Sequence, residues 1–284
     1  MLTTILLFCT LAFDESPVLL HQIELDQHGF SCNTIDGVPG AKTDRAIYFA
    51  RKKGILKARK PFRVETVTQA DLDALVKIPE KPADKAKLPR MGYETIKEMF
   101  AERGHLSQCA LEKLNPGVDW ERIQPGLKLL IPDFPPMEND LAAKKRKPAA
   151  LIKVSLSRRE ITAYDTNNAC IALFPCSIAR DKSKRPAEGE LKVVTKIPHP
   201  NYTYTPDFVP KGKKASKYVL MDGPNNPVGV AWIGLSLPTY GIHGTPYPET
   251  VGNAESHGCF RLSNWNVARL YAIVHIGTRV IVEP

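Results

Sequence analysis

From Leu151 the chain alternates. LIKVSLSRREITAYDT and ACIALFPCSIA set apolar or β-branched residues at every second place, on either side of a DTNN turn. That is the period of paired strands with one face in a core. RPAEGELKVVTKI adds another strand after a glycine-containing turn. WNVARLYAIV then changes period and sets Val267, Leu270, Tyr271 and Val274 on one helical face. Ser263 or Asn264 is placed to cap that helix, Gly277 to end it, and TRVIVEP to close the chain as a strand. Residues 150–284 are therefore expected to form a mainly β domain with one C-terminal helix.

The preceding half reads differently. In residues 15–61, Val18, Leu19, Ile23 and Leu25 follow a helical rhythm, DGVPGAKT makes a turn, and AIYFARKKGI starts a second helix that Thr43 or Asp44 would cap. Residues 62–134 run strand (FRVETVT), loop (KIPEKPADKAKLPR), helix with Ile96, Met99 and Phe100 in register, a second helix capped by Ser107, and strand (IQPGLKLLIP). A small α-helical module and an α+β module are expected, joined to the β domain by a linker over 135–149 that contains AAKKRKPAA, a basic run of the solvated kind.

The first residues, MLTTILLFCTLAF, are apolar. A helix of about twelve residues spans roughly 18 Å, short of the roughly 30 Å hydrocarbon core. The run is read as a secretory signal over residues 1–13, cleaved after Ala12, and export to a periplasm or cell wall is expected. No stable membrane span is expected. A formal charge of +9 suits an acidic polymer or surface, such as nucleic acid, acidic lipid or a bacterial wall, and equally suits simple solubility. After signal removal Cys32, Cys109, Cys170, Cys176 and Cys259 remain, an odd number that leaves at least one thiol free. Cys170 and Cys176 lie along one strand, with Cα atoms about 20 Å apart, too far to bridge. Cys32 and Cys109 stay open as a pair.

Cys259, within ESHGCFRLSN, is open to four readings: nucleophile, metal ligand, half of a disulfide, or buried thiol. A zinc set of His243, His257, Cys259 and His275 lacks the paired, close-spaced ligands of structural sites, and His275 is better placed as a helix-terminal cation. A nucleophile needs a base and donors for a developing oxyanion. Gly258 leaves room for substrate to approach the backbone, and YGIHGTP, sixteen residues upstream, offers His243 between Gly241 and Gly244. An imidazole there would lower the thiol pKa as an ion pair.

GIHGTP and VGNAESHGCFRLSNWN closely resemble the catalytic domain of the YkuD-type L,D-transpeptidases, and GPNNPVGVAWIGLS and RPAEGELKV extend the resemblance across residues 150–284. It implies Cys259 as nucleophile and His243 as general base and later acid. It also implies the Gly244 carbonyl as the group orienting His243, and His257, Gly258 and Cys259 around the oxyanion. Ser256 would support the loop and Arg261 would clamp a substrate carboxylate. No cofactor and no metal are implied. The partners would be peptidoglycan stem peptides and glycan, with no role for nucleic acid. Asp36-Gly37-Val38-Pro39-Gly40-Ala41-Lys42-Thr43 resembles the turn of a peptidoglycan-binding domain. LNPGVDW and PGLKLLIP resemble a LysM module, which here departs from its pattern by a long insertion after the first strand and by a loose Gly92-Tyr93-Glu94-Thr95 turn. Together these imply an enzyme that forms 3→3 cross-links through a cysteine thioester, held on the wall by two tethering modules. The alternatives are an L,D-carboxypeptidase, an enzyme anchoring protein to the wall, and a wall-binding structural protein without catalysis. A candidate cleft wall is NYTYTPDFVPKGKKASKYVL.

Overall fold

The computed structural model describes residues 12–53, 60–142, 146–206, 216–252, 254–256 and 258–284. The expected signal segment lies almost wholly outside them. Two helices open the described chain, α1 (Pro17–Gln27) and α2 (Ala41–Lys53). Then come β1 (Phe62–Thr66), α3 (Gln69–Asp73), α4 (Pro82–Lys85), α5 (Ile96–Arg103), α6 (Gln108–Leu114), β2 (Lys128–Pro132) and α7 (Met137–Leu141). The β-rich half runs β3 (Leu151–Ser155), β4 (Glu160–Tyr164), β5 (Cys170–Pro175), β6 (Ile178–Ala179), β7 (Gly189–Pro198), β8 (Tyr202–Tyr204) and β9 (Tyr218–Leu220). It ends with β10 (Ala231–Leu235), β11 (Gly241–His243), β12 (Ala254–Ser256), β13 (Phe260–Arg261), α8 (Asn264–Ile273) and β14 (Arg279–Glu283).

Residues 62–134 run β1, α3, α4, α5, α6 and β2, with two short helices between the first strand and the expected helix pair. β1 and β2 pair antiparallel, with Val64 opposite Leu130. Thr95 accepts from the Glu98 N–H at 3.0 Å and Ser107 from the Ala110 N–H at 3.1 Å, so both helices start at hydroxyl caps. The segment read as a loop contains a helical turn, α4, which opens on Pro82, a residue whose fixed φ suits a first helical position. α2 begins at Ala41, so Thr43 and Asp44 lie inside its first turn and do not cap it. Thr43 instead accepts from Gln22 Nε2 at 3.1 Å.

Among the described residues the main sheet has eight strands in the order β13-β11-β10-β7-β14-β3-β4-β5. The last strand, β14, inserts between β7 and β3, antiparallel to one and parallel to the other. Its register is fixed by Val280 and Val282, buried facing the core. α8 packs beside β10 and β11.

α8 is not the one-faced helix that its apolar spacing predicts. Asn264, Asn266 and Arg269 are buried along with Val267, Leu270 and Tyr271. The reason is that the N-terminal half covers its outer side. Arg269 pairs with Asp26 of α1 at 3.0 Å, and Asn266 donates to the Ser31 hydroxyl at 3.0 Å. Ser263 occupies the N-cap position but its hydroxyl makes no capping bond, and Asn264 turns its side chain away to other partners. The helix stops at Ile273, and Gly277 serves the turn into β14.

The cores cross the expected module boundaries. Leu19, Ile23 and Ile35 of the first segment pack with Phe100, Leu106 and Leu111 of the second. Leu25, Phe30, Phe49 and Ala50 pack with Leu173 of β5, where Phe30 adds a bridge to the strand edge. Among the described residues, the apolar side chains of 15–53 pack in clusters shared with the second segment and with β5. The N-terminal half is fastened to the β domain. The described part of the basic run is fastened too: Arg146 pairs with Asp140 and Lys147 with Asp165, and the Ala149 N–H donates to the Ile273 carbonyl at 2.8 Å. Cys32 is buried, Cys109 exposed, and both are free thiols, as is Cys176.

Candidate active site

β11 and β13 are short, parallel and adjacent, with Ile242 opposite Phe260 and His243 opposite Arg261. Ile242 and Phe260 are fully buried in the core. Side chains alternate along a strand, so His243 and Arg261 face the other way, with Cys259 on the same side as Arg261. That face opens into a cavity of about 810 Å³ lined by Cys259, His243, Gly258 and Arg261. The sequence separates His243 from Cys259 by a long loop; the parallel pairing brings them to one surface.

His243 is 7% exposed. Its Nδ1 lies 2.7 Å from the Gly244 carbonyl oxygen. A carbonyl only accepts, so Nδ1 carries the proton of the neutral ring and Nε2 is left as the basic nitrogen. Trp232, opposite His243 on β10, stacks on the imidazole with centroids 5.7 Å apart and planes 15° apart. Gly241 makes that approach possible, because a Cβ there would stand 2.5 Å from the Trp232 ring.

Burial, reinforced by the Arg261 charge, pushes the His243 pKa down to about 4 against the opposing hydrogen bond to Gly244. Burial also raises the Cys259 thiol, against the pull of the Gly241 backbone N–H and Arg261. The Cys259 sulfur lies 3.5 Å from the Thr239 carbonyl. Both shifts favour neutral forms. A desolvated pocket penalises both charges, which works against the ion pair expected from sequence. The proton must move as the sulfur attacks.

Of the other sequence candidates, Gly258 and Arg261 line the cavity, Arg261 half-buried. His257 lies outside the described residues. Ser256 belongs to β12, which pairs parallel with β6. Tyr202 and Tyr204, from the proposed cleft wall, do line the cavity, as a two-stranded hairpin with β9; residues 207–215 of that segment lie outside the described residues. Among the described residues no group of three or more His, Cys, Asp or Glu side chains is arranged to hold a metal ion. His275 sits in the turn after α8, its Nδ1 3.1 Å from the Thr278 hydroxyl.

Several lining residues were not singled out from the sequence. Trp232 has a signal only once β10 is paired with β11. Tyr240 adjoins the GIHG run and its hydroxyl donates to the Lys184 carbonyl at 2.9 Å. Glu80, Pro82, Lys85 and Met91 come from the insertion between β1 and α5, so the N-terminal half supplies one wall of the cavity. Lys85 also borders a second cavity of about 310 Å³, lined in part by Glu94, Glu98, Glu102 and Glu249.

A mainly β domain with a thiol and a Gly-oriented imidazole on one edge of its sheet has the features of an acyl-transfer site. Residues 149–282 match the family model of the L,D-transpeptidase catalytic domain, YkuD. The chain is 28% identical over 194 residues to the "Putative L,D-transpeptidase YkuD" of Bacillus licheniformis, covering 67% of this chain and 94% of the relative. That alignment reaches beyond residues 149–282 into the N-terminal half. It is 35% identical over 100 residues to the "Putative L,D-transpeptidase YqjB" of Bacillus subtilis, covering 34% of this chain and 50% of the relative. Among solved structures, L,D-transpeptidase 3 from Mycobacterium tuberculosis superposes with a TM-score of 0.39 at 20% identity, over 48% of this chain and 62% of that one. No helix of the described residues is long and apolar enough to cross a membrane.

Proposed function

We propose that the chain is a cysteine-dependent L,D-transpeptidase that cross-links peptidoglycan stem peptides outside the cytoplasmic membrane. The observation that carries this reading is the shared face of β11 and β13. It turns Cys259, His243 and Arg261 into one cavity, with His243 Nδ1 fixed by the Gly244 carbonyl.

The reaction runs in two acyl transfers. As the Cys259 sulfur attacks the carbonyl carbon of the amide joining the third residue of a tetrapeptide stem to its terminal D-Ala, Nε2 of His243 takes the thiol proton. The tetrahedral oxyanion is met by backbone N–H groups around Gly258 and Cys259. The amide C–N bond breaks, the D-Ala amine leaves with the proton from His243, and a thioester remains. A side-chain amine of a second stem then attacks the thioester carbonyl and gives its proton to His243. Cys259 leaves as the thiol, and the product is a 3→3 cross-link. The energy of the broken amide is kept in the thioester, so no nucleotide is consumed.

Arg261, on the strand next to Cys259, is suited to hold a carboxylate of the donor. Lys85 and Lys184 add positive charge to the same cavity, which favours the acidic stem. The N-terminal half, with its resemblances to wall-binding modules, keeps the site on an insoluble polymer while forming one of its walls.

Mass spectrometry of the products from purified disaccharide-tetrapeptide tests the reading. A dimer lacking one D-Ala is expected. A tripeptide monomer as the sole product would make water the acceptor and the enzyme an L,D-carboxypeptidase.

A further inference from the structure

We propose that Glu102, on α5 of the N-terminal half, is a positioning residue for His243, acting through Asn264 and the Gly244 carbonyl. This rests on the reading of His243 as the general base.

Glu102 is buried between α5 and the start of α8. Its two carboxyl oxygens lie 3.1 and 3.2 Å from the donating Asn264 Nδ2, and Oε1 also accepts from the Tyr93 hydroxyl at 2.9 Å. Asn264 Nδ2 donates further to the Pro224 carbonyl at 3.0 Å, while its Oδ1 accepts from the Val230 N–H at 3.3 Å. A side-chain amide has one donating and one accepting end. Acceptors at Glu102 and Pro224 therefore fix which end of Asn264 faces α5, and turn Oδ1 toward the loop that carries the base.

That oxygen is packed against the loop. A Cβ at Gly229 would lie 2.2 Å from it and a Cβ at Gly244 2.3 Å from it. Gly244 is thus held on three sides: Asn264 Oδ1 against its Cα, its N–H on the Val228 carbonyl at 3.0 Å, and its carbonyl on His243 Nδ1 at 2.7 Å. Withdrawing the acceptor at Glu102 frees Asn264 to tilt or flip. A flipped amide would set its NH2 against the Val230 N–H, donor to donor, and displace the Val228–Val230 and Gly244 backbone. His243 would then lose its orienting partner in the geometry that attack requires.

A mere clasp between the two halves would predict lost stability without a change in chemistry. The positioning role predicts a fall in kcat and a changed pH profile. D-Ala release from disaccharide-tetrapeptide is measured on the full chain, first for wild type and Cys259→Ala, which tests the proposed function by itself. Glu102→Asp draws the carboxylate back by one methylene, and Glu102→Gln keeps an oxygen acceptor at full reach. Displacement of a catalytic group by a fraction of an ångström costs about tenfold in rate, so Glu102→Asp is expected to lower kcat about tenfold with KM within about twofold, and to move the acid limb of kcat. Glu102→Gln is expected to keep about half of kcat or more.

An Asp variant with wild-type kcat and acid limb would overturn the inference. So would Asp and Gln variants that lose kcat equally. Should Glu102→Asp fail to fold, Tyr93→Phe, which deletes the hydroxyl donor to Glu102, is expected to lower kcat about two- to threefold. An unchanged kcat and pH profile in that variant would equally overturn the inference. If wild type releases no D-Ala, the proposed function fails, and the pH profile of Cys259 alkylation still reads the coupling: a profile that Glu102→Asp leaves unmoved sinks it.

Discussion

Trp232→Ala probes the electrostatics of the site through one ring. The indole stacks on His243 at 5.7 Å and takes part in the burial that holds the imidazole pKa down to about 4, from an ordinary 6.5. Removing the indole admits water to that face of the ring and lets the pKa rise toward its ordinary value. Full recovery corresponds to about 3.4 kcal/mol of lost discrimination against the imidazolium. At pH 5 the neutral, basic fraction of His243 is about 90% at a pKa of 4 but about 3% at 6.5, a fall of about thirtyfold. At pH 8 both are neutral and the fractions are equal. The assay is the rate of acyl-enzyme formation on a tetrapeptide stem between pH 4 and 8, each profile normalised to its own pH 8 value, which removes any loss of substrate contact. The wild-type acid limb is expected near pH 4 and the variant's between 5 and 6.5. A wild-type limb near 6.5, or a variant limb that does not move, would refute the reasoning.

Asp26→Ala leaves Arg269 and His105 facing an empty buried site, and breaking such a pair costs about 3 kcal/mol or more; a urea midpoint that shows less than about 1 kcal/mol would mean the halves are not fastened there. Lys85→Glu reverses a cavity-lining charge contributed by the N-terminal half. It is expected to raise KM for a stem with free carboxylates about tenfold, about 1.4 kcal/mol, and to change KM for a carboxamide stem little. Glu102, pushed up to about 8 by burial, holds its proton more tightly folded than unfolded, so its contribution to stability is complete below about pH 4.5 and is lost as pH rises toward 8. Glu102→Gln should flatten the urea midpoint between pH 5 and 8, and an equal slope in wild type and variant would contradict this.

Much of the fold was legible. The period of two after Leu151 and the hydroxyl caps at Thr95 and Ser107 are local signals, and local structure followed them. Cys259 and His243 stand out in the sequence because Gly258 precedes one and Gly241 and Gly244 bracket the other. What the sequence did not carry is pairing across distance. Trp232 matters only because β10 lies against β11, and Lys85 only because the insertion before α5 reaches the cavity. Arg269 and Asn266 lie off the apolar face of Val267, Leu270 and Tyr271, and nothing near them in the chain foretells that Asp26 and Ser31 will cover them. Residue types suggest the partnership of a thiol and an imidazole, but the burial that disfavours both charges is a property of the assembled pocket.

The most direct test of the account is the intact mass of the protein trapped during turnover of disaccharide-tetrapeptide, followed by mapping of the modified peptide. The predicted result is a single adduct equal to the stem less D-Ala, on Cys259, that disappears when an amine acceptor is supplied and never forms in Cys259→Ala. Release of D-Ala by Cys259→Ala, or an adduct on any other residue, would contradict it.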